Sequence, residues 1–169
     1  FDGNASDLSG NGNNGTVSGA TLAADRGEVD QKAYNFDGST SKILVDQDNL
    51  DIFGSQQAST ISFWVNPKSF TSPHTGILTK GFHSEINGNL GNTYLQVELT
   101  TAGAVGYSLY NKTTLNNIVS TAGAITPNMW NHVVFVRGPE GRVFVNGTDV
   151  TDATKARNEG WSINYNSIL

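Results

Sequence analysis

The stretch WNHVVFVRGPEGRVFVNGTDV, residues 130–150, decides the fold. Asn131 to Arg137 and Arg142 to Val145 are two short runs rich in Val and Phe, the composition of half-buried strands. Gly138-Pro139-Glu140-Gly141 separates them and reads as the loop of a hairpin. Asn146-Gly147 ends the second run with the pair that best tolerates the two positive φ angles of a type I′ turn. A third strand is therefore expected to start near Thr148-Asp149-Val150.

Working outward, strand signals recur every ten residues or so, with turn residues between them, the rhythm of a sandwich or barrel. Ala33-Tyr34-Asn35-Phe36 runs into the turn pair Asp37-Gly38, and Lys42-Ile43-Leu44-Val45 follows. From Thr60 to Asn66 the chain alternates, with Ile61, Phe63 and Val65 on one face and Ser62, Trp64 and Asn66 on the other. Pro67, lacking a ladder donor, ends that strand. Gly76 to Gly81, Tyr94 to Leu99 (Leu95, Val97 and Leu99 inward), Val105 to Tyr110 and Ile118 to Ser120 continue the series. Only 49–53 and 151–157 have the composition of a helical turn. So many alternating strands are buried best as two antiparallel sheets face to face, an all-β antiparallel sandwich.

Composition agrees. The 169 residues are 37% hydrophobic and 15% charged, with 19 Gly, 4 Pro and no Cys, so one large β-domain spanning 1–169 has apolar material for a core. A net charge of −5 without a Lys/Arg-rich run argues against nucleic acid and against an acidic membrane surface as partners. No apolar stretch nears the ~18 residues of a membrane-spanning helix. Lacking Cys, the chain has neither disulfides nor thiolate metal sites. A content rich in Asn, Thr, Ser and Gly and poor in Lys and Glu reads as a secreted or cell-surface domain. The chain opens on Phe1 and is expected to be a processed or excised segment.

Five segments, FDGNASDLSGNGNNGTV (1–17), AYNFDGSTSKILV (33–45), TISFWVNPKSF (60–70), GILTKG (76–81) and WNHVVFVRGPEGRVFVNGTDV (130–150), together resemble the laminin-G-like, concanavalin A-like jelly-roll domains, in particular the bacterial subgroup. The resemblance implies a jelly roll whose first strand precedes Phe1 and whose last strand, bearing an Asp, follows Leu169. The chain is accordingly expected to be incomplete at both ends and part of a larger polypeptide. Within that family Trp64 and Trp130 fall in core motifs, and packing in the sandwich is their expected role.

Asp7-Leu8-Ser9-Gly10-Asn11-Gly12-Asn13-Asn14-Gly15 offers oxygen donors on a loop that can turn them inward, the chemistry a hard cation such as Ca²⁺ requires. The resemblance implies one structural Ca²⁺ held by Asp7, with carbonyl oxygens of Asn11 and Asn14 and the backbone of Gly12, completed by the Asp of the last strand. The competing possibility is a Gly/Asn turn that satisfies its own backbone through Asx hydrogen bonds.

Aromatic and amide residues in the loops 68–76 and 82–92 and near them are candidates for a glycan: Phe70, His74, Phe82, His83, Glu85, Asn87, Asn89 and Asn92, with Tyr94, Tyr107 and Tyr110. For the tyrosines, core packing is an equal alternative. His132 is expected as a strand residue with a hydrogen-bonded ring, and His74 and His83 stand apart from any metal-binding cluster. Glycosidic hydrolysis by a retaining route needs paired carboxyl groups about 5–5.5 Å apart. The five Glu, at 28, 85, 98, 140 and 159, include none with such a strand-mate; Glu98 is followed by Thr100 and Ala102. Four Asn-x-Ser/Thr sequons, at Asn4, Asn14, Asn111 and Asn146, follow from the Asn- and Thr-rich composition. The expected function is a non-catalytic, calcium-stabilised carbohydrate-binding or adhesion module whose partner is a glycan or polysaccharide. The alternatives are a structural domain of a surface assembly, completed by a strand from a neighbouring subunit, and an accessory domain of a secreted glycosidase or protease.

Overall fold

Alternation along 131–137 places Val133 and Phe135 on one side of the chain, and the same parity runs through 59–65, 95–99 and 105–109. The computed structural model describes residues 3–45, 58–81, 85–86, 89–90, 93–111, 115–138 and 140–154. In chain order the strands are β1 (Gly15–Ser18), β2 (Thr21–Ala23), β3 (Ala33–Asn35), β4 (Lys42–Val45), β5 (Ser59–Val65), β6 (Thr75–Gly81), β7 (Glu85–Ile86), β8 (Asn89–Leu90), β9 (Thr93–Leu99), β10 (Val105–Asn111), β11 (Leu115–Val119), β12 (Asn131–Arg137), β13 (Arg142–Val145) and β14 (Thr148–Asp149). The chain divides into two compact units, Phe1–Ile52 and Phe53–Ile168.

The first unit pairs β1 with β4 and β2 with β3, both antiparallel. Gly15 is required where β1 begins, since a Cβ there would lie 2.5 Å from Cγ2 of Ile43.

The second unit holds two four-stranded antiparallel sheets, in the orders β11-β10-β9-β6 and β14-β13-β12-β5, and the short β7–β8 pair. Leu95, Val97, Leu99, Val105, Tyr107, Leu109 and Ile118 of the first sheet join Val133, Phe135, Val143 and Val145 of the second in one buried cluster. Ile61, Phe63 and Val65 pack against it from β5, as their alternation requires. Across the layers the rings of Tyr107 and Phe135 lie 5.8 Å apart. This is the expected all-β antiparallel sandwich.

The turn chemistry also matches the sequence. Asn146 and Gly147 have φ of 52° and 82°, the left-handed pair of a type I′ turn. At the other end of the hairpin, Val136 faces Arg142 in register. The 49–53 segment lies outside the described residues. Of 151–157, the described part is not helical: Thr151 bridges Ser120, and Asp152 caps its own turn by accepting the Thr154 N–H at 3.0 Å. No helix among the described residues is long and apolar enough to cross a membrane.

Candidate functional site

Strand parity that sends Leu95, Val97 and Leu99 into the core sends Gln96 and Glu98 to the opposite face of the sheet. Register aligns Asn117, Ser108 and Gln96 across β11, β10 and β9, and Gly106, Glu98 and Gly76 across β10, β9 and β6. A sheet face turned away from its core is ordinarily solvated. Here Gln96, Glu98, Ser108 and Asn117 are only 5%, 1%, 4% and 4% exposed. His74 enters from the loop before β6, its Nδ1 lying 3.1 Å from both carboxylate oxygens of Glu98. The Gln96 side-chain amide donates to the same carboxylate at 2.9 Å. Burial raises the pKa of Glu98 above the ordinary carboxylate range, against the lowering pull of the His74 hydrogen bond and charge. The Asn117 side-chain amide has no hydrogen-bond partner on either atom.

A second constellation lies on the outer face of the other sheet. Trp64 and His132 are direct cross-strand partners on β5 and β12. Their rings stack at 4.8 Å with 19° between planes. A 2.9 Å hydrogen bond between Ser62 Oγ and Nε2 fixes the imidazole. The His132 backbone N–H donates to Oδ1 of Asn146 at 2.9 Å, tying the strand to the turn. Trp64 remains 45% exposed. The expectation that Trp64 packs in the core is thus corrected: its parity with Ser62, opposite Ile61 and Phe63, turns the indole outward. Trp130, expected in the core as well, is half-buried and stands outside the central cluster.

The Asp7 loop folds around its carboxylate. The backbone N–H groups of Ser9 and Asn13 donate to Asp7 at 2.8 and 2.9 Å, and the Ser9 hydroxyl donates at 2.8 Å. Oδ1 of Asn14 accepts the Asp7 backbone N–H, and the Asn11 side-chain amide donates to Ser9 Oγ. Gly10 and Gly12 take φ of 82° and 78°, which the tight loop demands. The Ser9 hydroxyl and these N–H groups hold the Asp7 pKa below its usual value. A calcium cage converges acceptors on a centre, whereas this loop converges donors on its one carboxylate. Asp7, Asn11, Gly12 and Asn14 therefore fit the self-capped turn and not the cage.

The remaining sequence candidates separate. Tyr107 is a correction: it is buried, with its ring against Phe135 in the core, because Val105, Tyr107 and Leu109 share a face. Phe70 likewise packs against the core. Tyr94 and Tyr110 are described in backbone only; they pair directly across β9 and β10, at positions in phase with Gln96 and Ser108. Asn89 is described in backbone only, within β8, while Phe82, His83 and Asn87 lie outside the described residues. Gln96, Ser108 and Asn117 were missed as site residues. The available signal was polar residues alternating with apolar ones in strands, with Gly76 and Gly106 near the starts of two of them.

A family model described as the concanavalin A-like lectin/glucanases superfamily matches residues 37–168 of the chain. No curated protein and no solved structure matches it.

Proposed function

We infer function from the premise that the chain belongs to the concanavalin A-like lectin/glucanases superfamily, and propose that it is a non-catalytic carbohydrate-binding or adhesion module of an extracellular or cell-surface protein. The observation that carries the reading is the outward indole of Trp64, stacked on His132 and 45% exposed. An exposed aromatic face held rigid by its neighbours receives the C–H face of a sugar ring at little entropic cost, and Ser62 and His132 place polar atoms at its edge. Glu98 supports a non-catalytic role. Among the described residues it is the one carboxylate in the polar row of the opposite sheet, and a histidine and an amide occupy its surroundings, where a second carboxylate would be needed for glycoside hydrolysis.

A glycan array probed with the chain tests this reading. Binding is expected to at least one class of oligosaccharide, unchanged by calcium, and to fall at least tenfold in Trp64→Ala. A silent array would transfer the outer face, which Val134, Val136 and Phe144 share with the indole, to the alternative role of a protein-interaction surface in an assembly.

A further inference from the structure

His132 is the one histidine among the described residues on β5, β12, β13 and β14. Histidine is the side chain whose charge changes between about pH 5 and 8, so this ring can alter what the outer face offers a ligand. Its position carries such a change to the indole. The two rings stack at 4.8 Å with 19° between planes, and Ser62 Oγ lies 2.9 Å from Nε2. Trp64 is 45% exposed, and a sugar lying on it also lies beside that pair.

The hydrogen bonds at the edge of the platform depend on the proton. A neutral imidazole has one nitrogen that donates and one that accepts, and a serine hydroxyl can meet either tautomer by giving or taking a hydrogen. An imidazolium donates from both nitrogens. Ser62 Oγ then accepts the Nε2 hydrogen, and its own hydroxyl hydrogen turns away from the ring. Proton uptake thus replaces a neutral edge by a positive one that presents donors. The stack tolerates the charge, because a cation over an indole face is attracted by the ring quadrupole.

The surrounding groups leave this change uncancelled. Strand β5 carries no charged residue, and on β12 Arg137 has the parity of Val133 and Phe135, the core side. Asn146, just after β13, meets the His132 N–H with an uncharged amide. Charge on the face stands farther along, where Arg142 is the register partner of Val136 and holds Glu140 at 2.9 Å and Asp149 at 3.1 Å. Both of those carboxylates are engaged by the guanidinium.

A positive, donor-rich edge beside an aromatic platform suits one class of saccharide. A uronic acid has a C–H face to lie on the indole and a carboxylate to accept charge-assisted hydrogen bonds. We propose that His132 is a proton-controlled selector at the Trp64 site, which in acid turns the platform from neutral saccharides toward uronic-acid saccharides. The ligand class rests on the glycan-binding reading; the proton control rests on the stacked, hydrogen-bonded ring alone.

Calorimetric titration of hexagalacturonate and cellohexaose into the wild-type chain, His132→Gln and His132→Phe, each at pH 5 and pH 8, tests the selector. Uronate carboxylates are ionised at both values. In the wild type the ratio of hexagalacturonate to cellohexaose affinity is expected to rise at least fivefold from pH 8 to pH 5. Gln keeps a hydrogen-bonding group and Phe keeps an aromatic ring, yet neither takes up a proton, and in both the ratio is expected to change less than twofold. Where one variant fails to fold, the other carries the comparison. Indole fluorescence without sugar reads the proton directly, since an imidazolium in contact quenches an indole. Emission is expected to fall from pH 8 to pH 5 in the wild type, and to stay level in Trp64→Phe and His132→Gln. A wild-type ratio that changes less than twofold, a pH response that survives in both His132 variants, or wild-type emission indifferent to pH overturns the selector and leaves glycan binding intact. A chain that binds neither sugar at either pH, while its emission still responds through His132, overturns the glycan-binding reading and the ligand class with it.

Discussion

Asn131 shows how much one side chain can organise. It is fully buried, accepts the Thr126 N–H at 3.1 Å, and donates to the carbonyls of Thr126 and Met129 at 2.9 and 2.7 Å. The loop before β12 is thereby closed onto the first residue of the strand. Asn131→Asp keeps the shape but removes both donors and aims a charge at two carbonyl oxygens. A loss of about 3 kcal/mol is expected at neutral pH, because buried groups left unpaired cost about 1–3 kcal/mol each and charged ones more. Urea unfolding at pH 7 measures it, and a change under 1 kcal/mol would dismiss the staple. Gly141 is a steric case. A Cβ there would lie 2.5 and 2.8 Å from Cγ1 and Cδ1 of Ile118, a core residue with little freedom to move. Gly141→Ala is expected to destabilise by about 1–3 kcal/mol through overpacking. Asp7 supplies a contrasting expectation: with its carboxylate already met by loop donors, adding calcium or a chelator should shift the melting temperature by less than about 2 °C. A rise of several degrees with calcium would restore the cage.

At the scale of the element, the β12–β13–β14 meander is where sequence and structure coincide most closely. Its two runs, its loop and its turn each follow from local chemistry: β-branched residues favour the strand, and Asn146-Gly147 tolerates the left-handed backbone. Gly147→Ala is expected to cost about 1–2 kcal/mol, the penalty of a Cβ in that conformation, read by thermal unfolding. Within the strands the core face was legible from period-two alternation, as Leu95, Val97 and Leu99 demonstrate. The site was less so. Grouping Tyr107 with Tyr110 overlooked parity, for residues three apart in a strand point to opposite faces. Trp64 was assigned to the core by its motif even though its parity with Ser62 and Asn66 put it outside. The polar row stayed hidden for a different reason. Alternation tells which residues share a face, but whether that face meets water depends on tertiary burial, which no local pattern in β9 or β10 encodes.

For the whole molecule, pH is the property that separates the two units. Among the described residues of the first unit, Ala33 is the one buried apolar side chain, so its order leans on hydrogen-bonded turns. Three of those turns are built on carboxylates whose pKa values lie below the ordinary value of 3.8. Asp7 is held down by Ser9, Asp25 by the backbone N–H groups of Val29 and Gly27, and Asp37 by those of Ser41 and Ser39. In the second unit Asp149 is lowered by Thr151 and Arg142, while Glu98 is raised by burial. The signs follow from linkage. A depressed Asp binds fewer protons folded than unfolded, so its contribution is present above about pH 4 and is lost as pH falls toward the folded value. Glu98, whose folded value is raised, holds a proton more tightly folded; its contribution is complete below the unfolded value and lost as pH rises through the folded one. Acid therefore weakens the first unit through three turns, whereas in the second the Asp149 loss is borne by a sandwich with a packed core, and the Glu98 contribution is already complete. Hydrogen exchange followed by mass spectrometry should accordingly show protection in β1, β3 and β4 falling between pH 4 and pH 2.5 ahead of that in β9, β10 and β12, after correction for intrinsic exchange rates. Asp37→Asn should flatten this dependence in the first unit. Glu98→Gln should narrow the melting temperature's decline from pH 4.5 to 8, because it removes the charge that burial opposes. Simultaneous loss of protection in both units, with no effect of Asp37→Asn, would mean that the turn carboxylates do not set the acid limit.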